Sequence, residues 1–173
     1  MNNKMIPTTT YSTKEIWAFL NEVTDPEIPV LNIVEMGIVR NVDIESGNVT
    51  VRITPTYSGC PAMNAIENEI RKKLSNNGIE NFQIITDYKE SWTTDWMTDK
   101  AKSKLKEYGI APPLKNEGSD DFLKDLKASQ RIIPCPFCDS METYLESEFG
   151  STACKSQYYC NGCEQPFEHF KCI

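Results

Sequence analysis

The chain has 173 residues, of which 39% are hydrophobic and 10% aromatic, so it can bury a core and lacks the composition of a disordered protein. Its formal net charge of −7 argues against a nucleic-acid or anionic-membrane binder, since either would need a basic face. We find no apolar run of membrane-spanning length and no apolar signal segment near residue 1. We therefore expect a soluble, cytoplasmic protein.

The first domain is predicted over residues 10–111. A capping box from Ser12 to Glu15 opens a run of apolar residues at helical spacing, and alternating apolar residues follow on either side of a turn at Gly47. The predicted elements are, in order, helix 13–23, strands 38–44 and 49–54, helix 61–76, strand 79–87 and helix 99–107. This order predicts an α+β fold, a small α/β sandwich with helices on one face of a sheet.

The loop before the second helix contains a cysteine that could be reactive. Cys60 follows Gly59 and directly precedes Pro61, a residue that suits the first position of a helix. We therefore expect Cys60 at the N-cap, where the positive end of the helix dipole favours a thiolate, the form that binds metal or attacks. The alternative is a buried, inert cysteine at a strand–helix junction.

The other six cysteines all follow residue 134. After a polar linker over residues 112–130, with a helical turn or two considered near 119–126, the module 131–173 contains two Cys-x-x-Cys motifs separated by 21 residues. That spacing is typical of a zinc ribbon, and a module of about 40 residues has too little core to fold without a metal or disulfides. The predicted zinc ligands are Cys135, Cys138, Cys160 and Cys163. Disulfides or thiol redox work are the alternatives, although cytoplasmic thiols are kept reduced.

Three further residues of this module have no assigned role. Cys154, Cys172 and His169 are either small or packed side chains or, for the cysteines, functional thiols facing a partner or the Cys60 site. Strands are predicted around 143–145 and 157–159, on either side of the metal.

Four motifs in the first domain resemble the SufT-type iron–sulfur assembly domain. They lie, in order, at 25–29, 33–39, 54–61 and 92–97. The resemblance implies that Cys60 is the reactive or cluster-handling residue, with the acidic residues Asp25 and Glu27 nearby; the alternative for these two is a solvated turn. Trp92 and Trp96 are expected to be core or interface aromatics. One thiolate cannot hold a cluster, so Cys60 would need a second protomer in a homodimer, an external thiol or carboxylates.

The C-terminal sequence is similar to that of a second family. Segments 108–113, 149–155 and 164–172 resemble the phenylacetic-acid degradation family PaaD. This resemblance implies an accessory or maturation factor for the multicomponent phenylacetyl-CoA oxygenase (epoxidase) of aerobic phenylacetate degradation. Its clients would be the reductase or the di-iron component, and its cargo iron or an iron–sulfur cluster.

Two other functions stay open at this stage. The first is a subunit that takes part directly in the oxygenase complex, but a single histidine and the lack of a Glu-x-x-His pair leave no iron-oxygenase ligand set, so we expect no enzyme activity of its own. The second is a zinc-ribbon nucleic-acid adaptor, which the acidic ribbon argues against.

Overall fold

The computed structural model describes residues 11–114 and 132–171. The described residues fall into two compact units. The N-terminal unit contains 11–55 and 60–90, and the ribbon unit contains 56–59, 91–114 and 132–171. No helix within these ranges is long and apolar enough to cross a membrane.

The N-terminal unit is a three-stranded sheet with two helices. Its elements are α1 (Thr13–Leu20), β1 (Val39–Glu45), β2 (Asn48–Ile53), α2 (Ala62–Asn76) and β3 (Phe82–Thr86). The strand order is β1-β2-β3. β1 and β2 form an antiparallel hairpin, whereas β2 and β3 run parallel because α2 carries the chain back between them.

The core of this unit follows the predicted periodicities. One stripe of α2 is buried, at Met63, Ile66, Ile70 and Leu74, and alternate residues of β2 are buried, at Val49, Val51 and Ile53. The predicted capping box is present, since Ser12 and Glu15 exchange hydrogen bonds. α1 ends at Leu20, three residues earlier than expected, because the N–H of Val23 bonds to the Leu20 carbonyl in a turn (3.1 Å).

The ribbon unit is built on a four-stranded sheet. A 3₁₀ turn (Thr94–Trp96) precedes α3 (Asp99–Glu107), β4 (Ile110–Ala111), β5 (Thr143–Ser147), β6 (Lys155–Cys160) and β7 (Gln165–Phe170). The strand order is β4-β7-β6-β5; β5, β6 and β7 are antiparallel, and β4 lies parallel to β7. The predicted α+β class, a small α/β sandwich followed by a ribbon, is confirmed.

The division between units lies at residue 90 and not at the expected boundary of 111. The physical reason is β4, in which Ile110 and Ala111 pair with β7. Ala111 also belongs to a buried cluster with Ile133, Tyr158 and Phe167. The segment 91–111 therefore packs as part of the ribbon unit. The helical turn considered for 119–126 lies outside the described residues.

Candidate metal centre and candidate reactive cysteine

The ribbon unit brings four cysteine sulfurs together. Cys135 and Cys138 lie before β5, Cys160 ends β6, and Cys163 lies in the turn before β7. All four Sγ atoms are within 4.8 Å of one another. The Sγ atoms of Cys135 and Cys163 are 3.7 Å apart, and those of Cys138 and Cys160 are 3.6 Å apart.

These distances fit a tetrahedral metal site. A disulfide would need a sulfur–sulfur distance of about 2.0 Å, so the four cysteines are free thiols. Four sulfurs bound at about 2.3 Å to one zinc ion would lie about 3.8 Å apart along each edge of the tetrahedron. The observed pairs are close to that edge length, and a four-sulfur donor set is one that zinc prefers.

The two Cys-x-x-Cys turns share one backbone design. Asp139 and Glu164, the residues that directly follow the second cysteine of each turn, have left-handed φ values of 58° and 56°. In the first turn the N–H of Asp139 donates to the carbonyl of Cys135 (3.0 Å). In the second, Gly162 permits close packing, because a Cβ there would lie 2.7 Å from the Ser140 hydroxyl oxygen. Each turn therefore directs both of its sulfurs to one side.

Cys160 and Cys163 differ in acidity. Burial opposes ionisation of Cys160, but hydrogen bonds from the backbone of Cys163 and Gly162 and from the Cys138 thiol lower its pKa to about 7. Burial and the neighbouring cysteines raise the pKa of Cys163 to about 12. The Cys163 thiol therefore resists ionisation, and a bound cation is what would ionise it.

Cys154 and His169 lie apart from the four-sulfur cluster, and Cys172 lies outside the described residues. Cys154 is buried, with its Sγ 3.1 Å from the Thr152 hydroxyl oxygen, which agrees with the interpretation of a small packed side chain. His169 is buried with its ring edge-on to Tyr158 and its Nδ1 3.4 Å from the Ser156 hydroxyl oxygen.

A buried ion pair lies close to Cys154 in the sequence and was not predicted. Lys155 is only 5% exposed at its side chain, and its Nζ lies 2.9 Å from a carboxylate oxygen of Glu168. Burial opposes ionisation of Glu168, but the N–H of Ser151, at 2.8 Å, and Lys155 together lower its pKa. Lys155 lies directly opposite Phe170, and Glu168 lies directly opposite Gln157. The ion pair is therefore diagonal across β6 and β7, and no direct cross-strand pairing of opposite charges indicates it.

Cys60 is half-buried and lies between two exposed residues, Gly59 and Pro61. The expectation that Cys60 is the N-cap of α2 is wrong by one residue: the N-cap is Pro61, which has φ of −67° and makes no side-chain capping hydrogen bond. The carbonyl of Cys60 still accepts a hydrogen bond from the Met63 N–H (3.3 Å) in the first turn. Gly59 has a φ of +91° and open space around its missing Cβ. The thiol is therefore neither walled in nor fully exposed.

Asp25 is a buried turn residue and not a solvated one. It is 6% exposed, and its Oδ1 accepts hydrogen bonds from the N–H groups of Glu27 and Ile28, each at 2.8 Å. Glu27 is half-buried. Asn32 forms a second turn of the same kind, which sequence analysis missed: its Oδ1 accepts from Val34 and Glu35. Asp and Asn are the residues whose side-chain oxygen accepts hydrogen bonds from backbone N–H groups two and three residues later. Their presence at both turns was the available signal.

The segment that contains the acidic turn and the helix that Cys60 precedes line a common groove. A groove of about 370 Å³ is lined by Val23 and Pro26 on one side and by Ala65 and Ile66 of α2 on the other. Asp25 and Glu27 flank Pro26, and Ala65 lies about one helical turn beyond Cys60. Among the residues that the structure describes, no close group of three or more metal-ligating side chains includes Cys60.

Trp92 is a core aromatic of the ribbon unit. It is 3% exposed and packs edge-on against Phe170, with ring centroids 6.0 Å apart. Trp96 is half-buried.

Comparisons with known proteins match both units. Residues 13–80 match the family described as "Iron-sulfur cluster assembly protein", and residues 119–171 match "PaaD zinc beta ribbon domain". The chain is 28% identical to the "Domain of Unknown Function DUF59 from Bacillus anthracis", a crystal structure, with a TM-score of 0.50 over 53% of this chain and 89% of that one.

Two curated relatives extend the match. The chain is 45% identical, over 92% of each protein, to an Escherichia coli (strain K12) protein that is named as a subunit of a "Putative 1,2-phenylacetyl-CoA epoxidase". It is 35% identical to the Porphyromonas gingivalis "Fe-S protein maturation auxiliary factor", over 61% of this chain and 97% of that protein. An iron–sulfur assembly domain joined to this type of ribbon, with identity at that level over nearly the whole length, places the chain in the PaaD family.

Proposed function

We propose that the protein is a maturation factor for a multicomponent phenylacetyl-CoA epoxidase and that it helps to place iron or an iron–sulfur cluster in the reductase or the di-iron component. Support comes from the names of the relatives, one a subunit of such an epoxidase and the other a maturation factor for iron–sulfur proteins. The chain itself has one histidine, so it does not carry the histidine–carboxylate ligand set of an iron oxygenase. It acts on the oxygenase and not on the aromatic substrate.

Cys60 is the residue that would contact the cargo. The observation that carries this assignment is that Cys60 lies outside the four-sulfur group; exposure does not separate the thiols, since Cys138 is exposed and Cys163 is half-buried like Cys60. The four ribbon sulfurs face one another, whereas Cys60 is half-exposed in a loop before α2, inside the assembly domain. An iron–sulfur cluster normally takes four cysteine ligands, so Cys60 supplies one. The client, a second copy of the chain or an external thiol would supply the rest, and a ligand set shared in this way favours release.

Asp25 and Glu27 have different roles in this proposal. The Asp25 carboxylate is engaged by two backbone N–H groups and holds the turn in shape. Glu27 is half-buried on that turn, and its carboxylate is the one we assign to iron. Asp25 is thus a positioning residue for Glu27.

The ribbon would hold a structural zinc ion through Cys135, Cys138, Cys160 and Cys163. Four protein ligands leave no open position on a tetrahedral ion, which is the arrangement of structural and not of catalytic zinc. Free thiols at this density also suit a reducing compartment, and we propose the cytoplasm.

The test is to produce the epoxidase subunits with the wild-type chain, with Cys60→Ser, or with neither. Iron and acid-labile sulfide per client subunit are measured, followed by phenylacetyl-CoA turnover of the purified oxygenase. We expect Cys60→Ser to lower client iron and activity at least tenfold, to the level without the chain, while the variant keeps its fold and zinc. Ser58→Ala, an exposed change in the same loop, is the matched control and should behave as wild type. Full client activity with Cys60→Ser would remove the assignment.

A second candidate is a non-catalytic subunit that stays in the oxygenase complex, which the word "subunit" in the name of the E. coli relative favours. The two functions differ in stoichiometry. A maturation factor is needed in less than equimolar amounts and can be removed after assembly without loss of turnover, whereas a subunit is needed at one copy per complex.

A further inference from the structure

One face of the ribbon sheet carries a row of two tyrosines and a proline, in which Tyr144 and Pro166 are exposed and Tyr159 is half-buried. Tyr144 on β5, Tyr159 on β6 and Pro166 on β7 are direct cross-strand neighbours. Their strand neighbours Tyr158 and Phe167 point the opposite way, into the buried cluster. The two tyrosine rings lie 5.6 Å apart at an interplanar angle of 40°, and Tyr144 is 47% exposed. We call Tyr144, Tyr159 and Pro166, together with Glu146 and Glu164, the tyrosine face.

The other end of this sheet face is covered by the protein itself. There Phe170 is buried against Trp92, and the side chain of Lys155 is buried beside Glu168. Pro166, in contrast, is exposed. The exposed part of the face is therefore a confined patch and not a generally unpacked sheet.

The tyrosine face is negatively charged. Glu146 is two residues after Tyr144 on β5, Glu164 is two residues before Pro166 in the turn that leads into β7, and both are exposed. Residues 132–171 contain six carboxylates and two lysines. Lys155 pairs with Glu168, and Lys171 pairs with Glu148 and lies 4.8 Å from the centre of the Phe149 ring. No ion pair of Glu146 or Glu164 occurs within the described residues.

This combination selects a particular partner chemistry. Tyrosine rings attract cations through their faces, and carboxylates bind guanidinium groups through two parallel hydrogen bonds. Arginine uses both interactions at once, whereas lysine offers a point charge. A nucleic acid would meet repulsion from the carboxylates, and an apolar partner would leave them desolvated without a partner. Tyrosine is also among the residues that dominate protein–protein binding energy.

We propose that the tyrosine face is a docking surface for an arginine-bearing segment of a partner protein. The guanidinium group stacks on Tyr144 or Tyr159 and pairs with Glu146 or Glu164. The surface does not include Cys60, so the docking proposal can be tested separately from the maturation chemistry. If the proposed function is correct, a client subunit of the epoxidase is the partner we expect to contain such a segment.

The experiment uses the full, zinc-loaded chain and a defined probe. The probe is a fluorescent ten-residue peptide with three arginines spaced by glycine and serine, and its control is the same peptide with citrulline, a neutral analogue of nearly equal shape. We expect the arginine peptide to bind at least tenfold more tightly than the citrulline peptide. Amide NMR shifts should concentrate on β5, β6 and the turn at Glu164. Shifts spread over all acidic surfaces would overturn the proposal.

Matched variants test the residues. Tyr144→Ala with Glu164→Gln should weaken arginine-peptide binding about tenfold, with zinc content unchanged. Tyr88→Ala with Glu80→Gln removes the same groups from exposed positions of the N-terminal unit and should change binding less than twofold. Equal losses in both double variants would mean non-specific charge attraction and would reject the docking surface. Tighter binding of a single-stranded oligonucleotide or of an arginine-free apolar peptide would reject it too. Cys60→Ser should bind the peptide normally.

Discussion

The protein contains two kinds of cysteine site, and they differ in how complete they are. In the ribbon unit, four sulfurs from two turns lie at the spacing of a metal tetrahedron. In the N-terminal unit, Cys60 is a half-buried thiol that belongs to no close group of three or more metal-ligating side chains among the described residues. A complete ligand set retains its metal, whereas an incomplete one needs ligands from another molecule. This difference is the reason why we propose a structural role for the ribbon cysteines and a transfer role for Cys60.

The two units also depend on their cysteines to different degrees. The described ribbon strands enclose a small buried cluster that includes two of the four cysteines, Cys135 and Cys160. The N-terminal unit has long buried stripes on α2 and β2 that contain no cysteine. Replacing a ribbon cysteine should therefore unfold the ribbon unit, whereas replacing Cys60 should leave the fold intact and lower only client maturation.

The largest effect is expected for Cys160→Ser. It removes a buried sulfur from both the ligand set and the ribbon core, so we expect loss of bound zinc and unfolding of the ribbon. Structural zinc in small domains contributes roughly 10–16 kcal/mol of apparent binding free energy, far more than a small ribbon can replace. The measurements are zinc per chain by elemental analysis and dispersion of the ribbon amide resonances. Cys60→Ser is the control and should keep one zinc per chain; the same zinc content in Cys160→Ser would contradict the four-ligand assignment.

A smaller effect is expected for Glu168→Gln. Lys155 would then remain buried with a charge and no carboxylate, and breaking a buried ion pair on one side costs about 3 kcal/mol. The free energy of unfolding of the zinc-loaded chain in urea measures this. Lys155→Met together with Glu168→Gln should recover most of the loss, since the buried charge is gone, and Glu142→Gln, at an exposed carboxylate, should change stability by less than about 0.5 kcal/mol. If Glu168→Gln left the free energy of unfolding unchanged, the ion pair would not contribute to the stability of the zinc-loaded ribbon.

Local patterns in the sequence predict much of this molecule. The two Cys-x-x-Cys pairs encode a ligand set directly, because a tight turn places both sulfurs on one side. The Ser12–Glu15 capping box and the apolar stripe of α2 are equally local, and both are present as predicted.

Long-range pairing accounts for what was missed. β4 has only two residues, too few to show a strand periodicity. Its pairing with β7 depends on tertiary packing and cannot be predicted from the local sequence. β7 contains Pro166, which counts against a strand, yet β4 pairs with β7 only at Glu168 and His169, so the missing N–H at Pro166 costs no bond to β4. Asp25 was open to interpretation as solvated because polar, proline-rich turns usually are; its burial depends on two backbone N–H groups that satisfy the carboxylate.

The smallest effect is expected for Asp25 in the N-terminal unit, where two substitutions separate its role in holding the turn from the role of its charge. Asp25→Ala leaves two N–H groups without their acceptor and should destabilise the N-terminal unit by about 1–2 kcal/mol. Asp25→Asn keeps an acceptor oxygen, and Asn32 already holds an equivalent turn through its amide. We therefore expect Asp25→Asn to keep wild-type stability in urea and to support client maturation, whereas Glu27→Gln should lower client iron. If Asp25→Asn lost maturation at unchanged stability, the buried carboxylate would itself contact the cargo, and the incomplete site would hold one more ligand than Cys60 and Glu27.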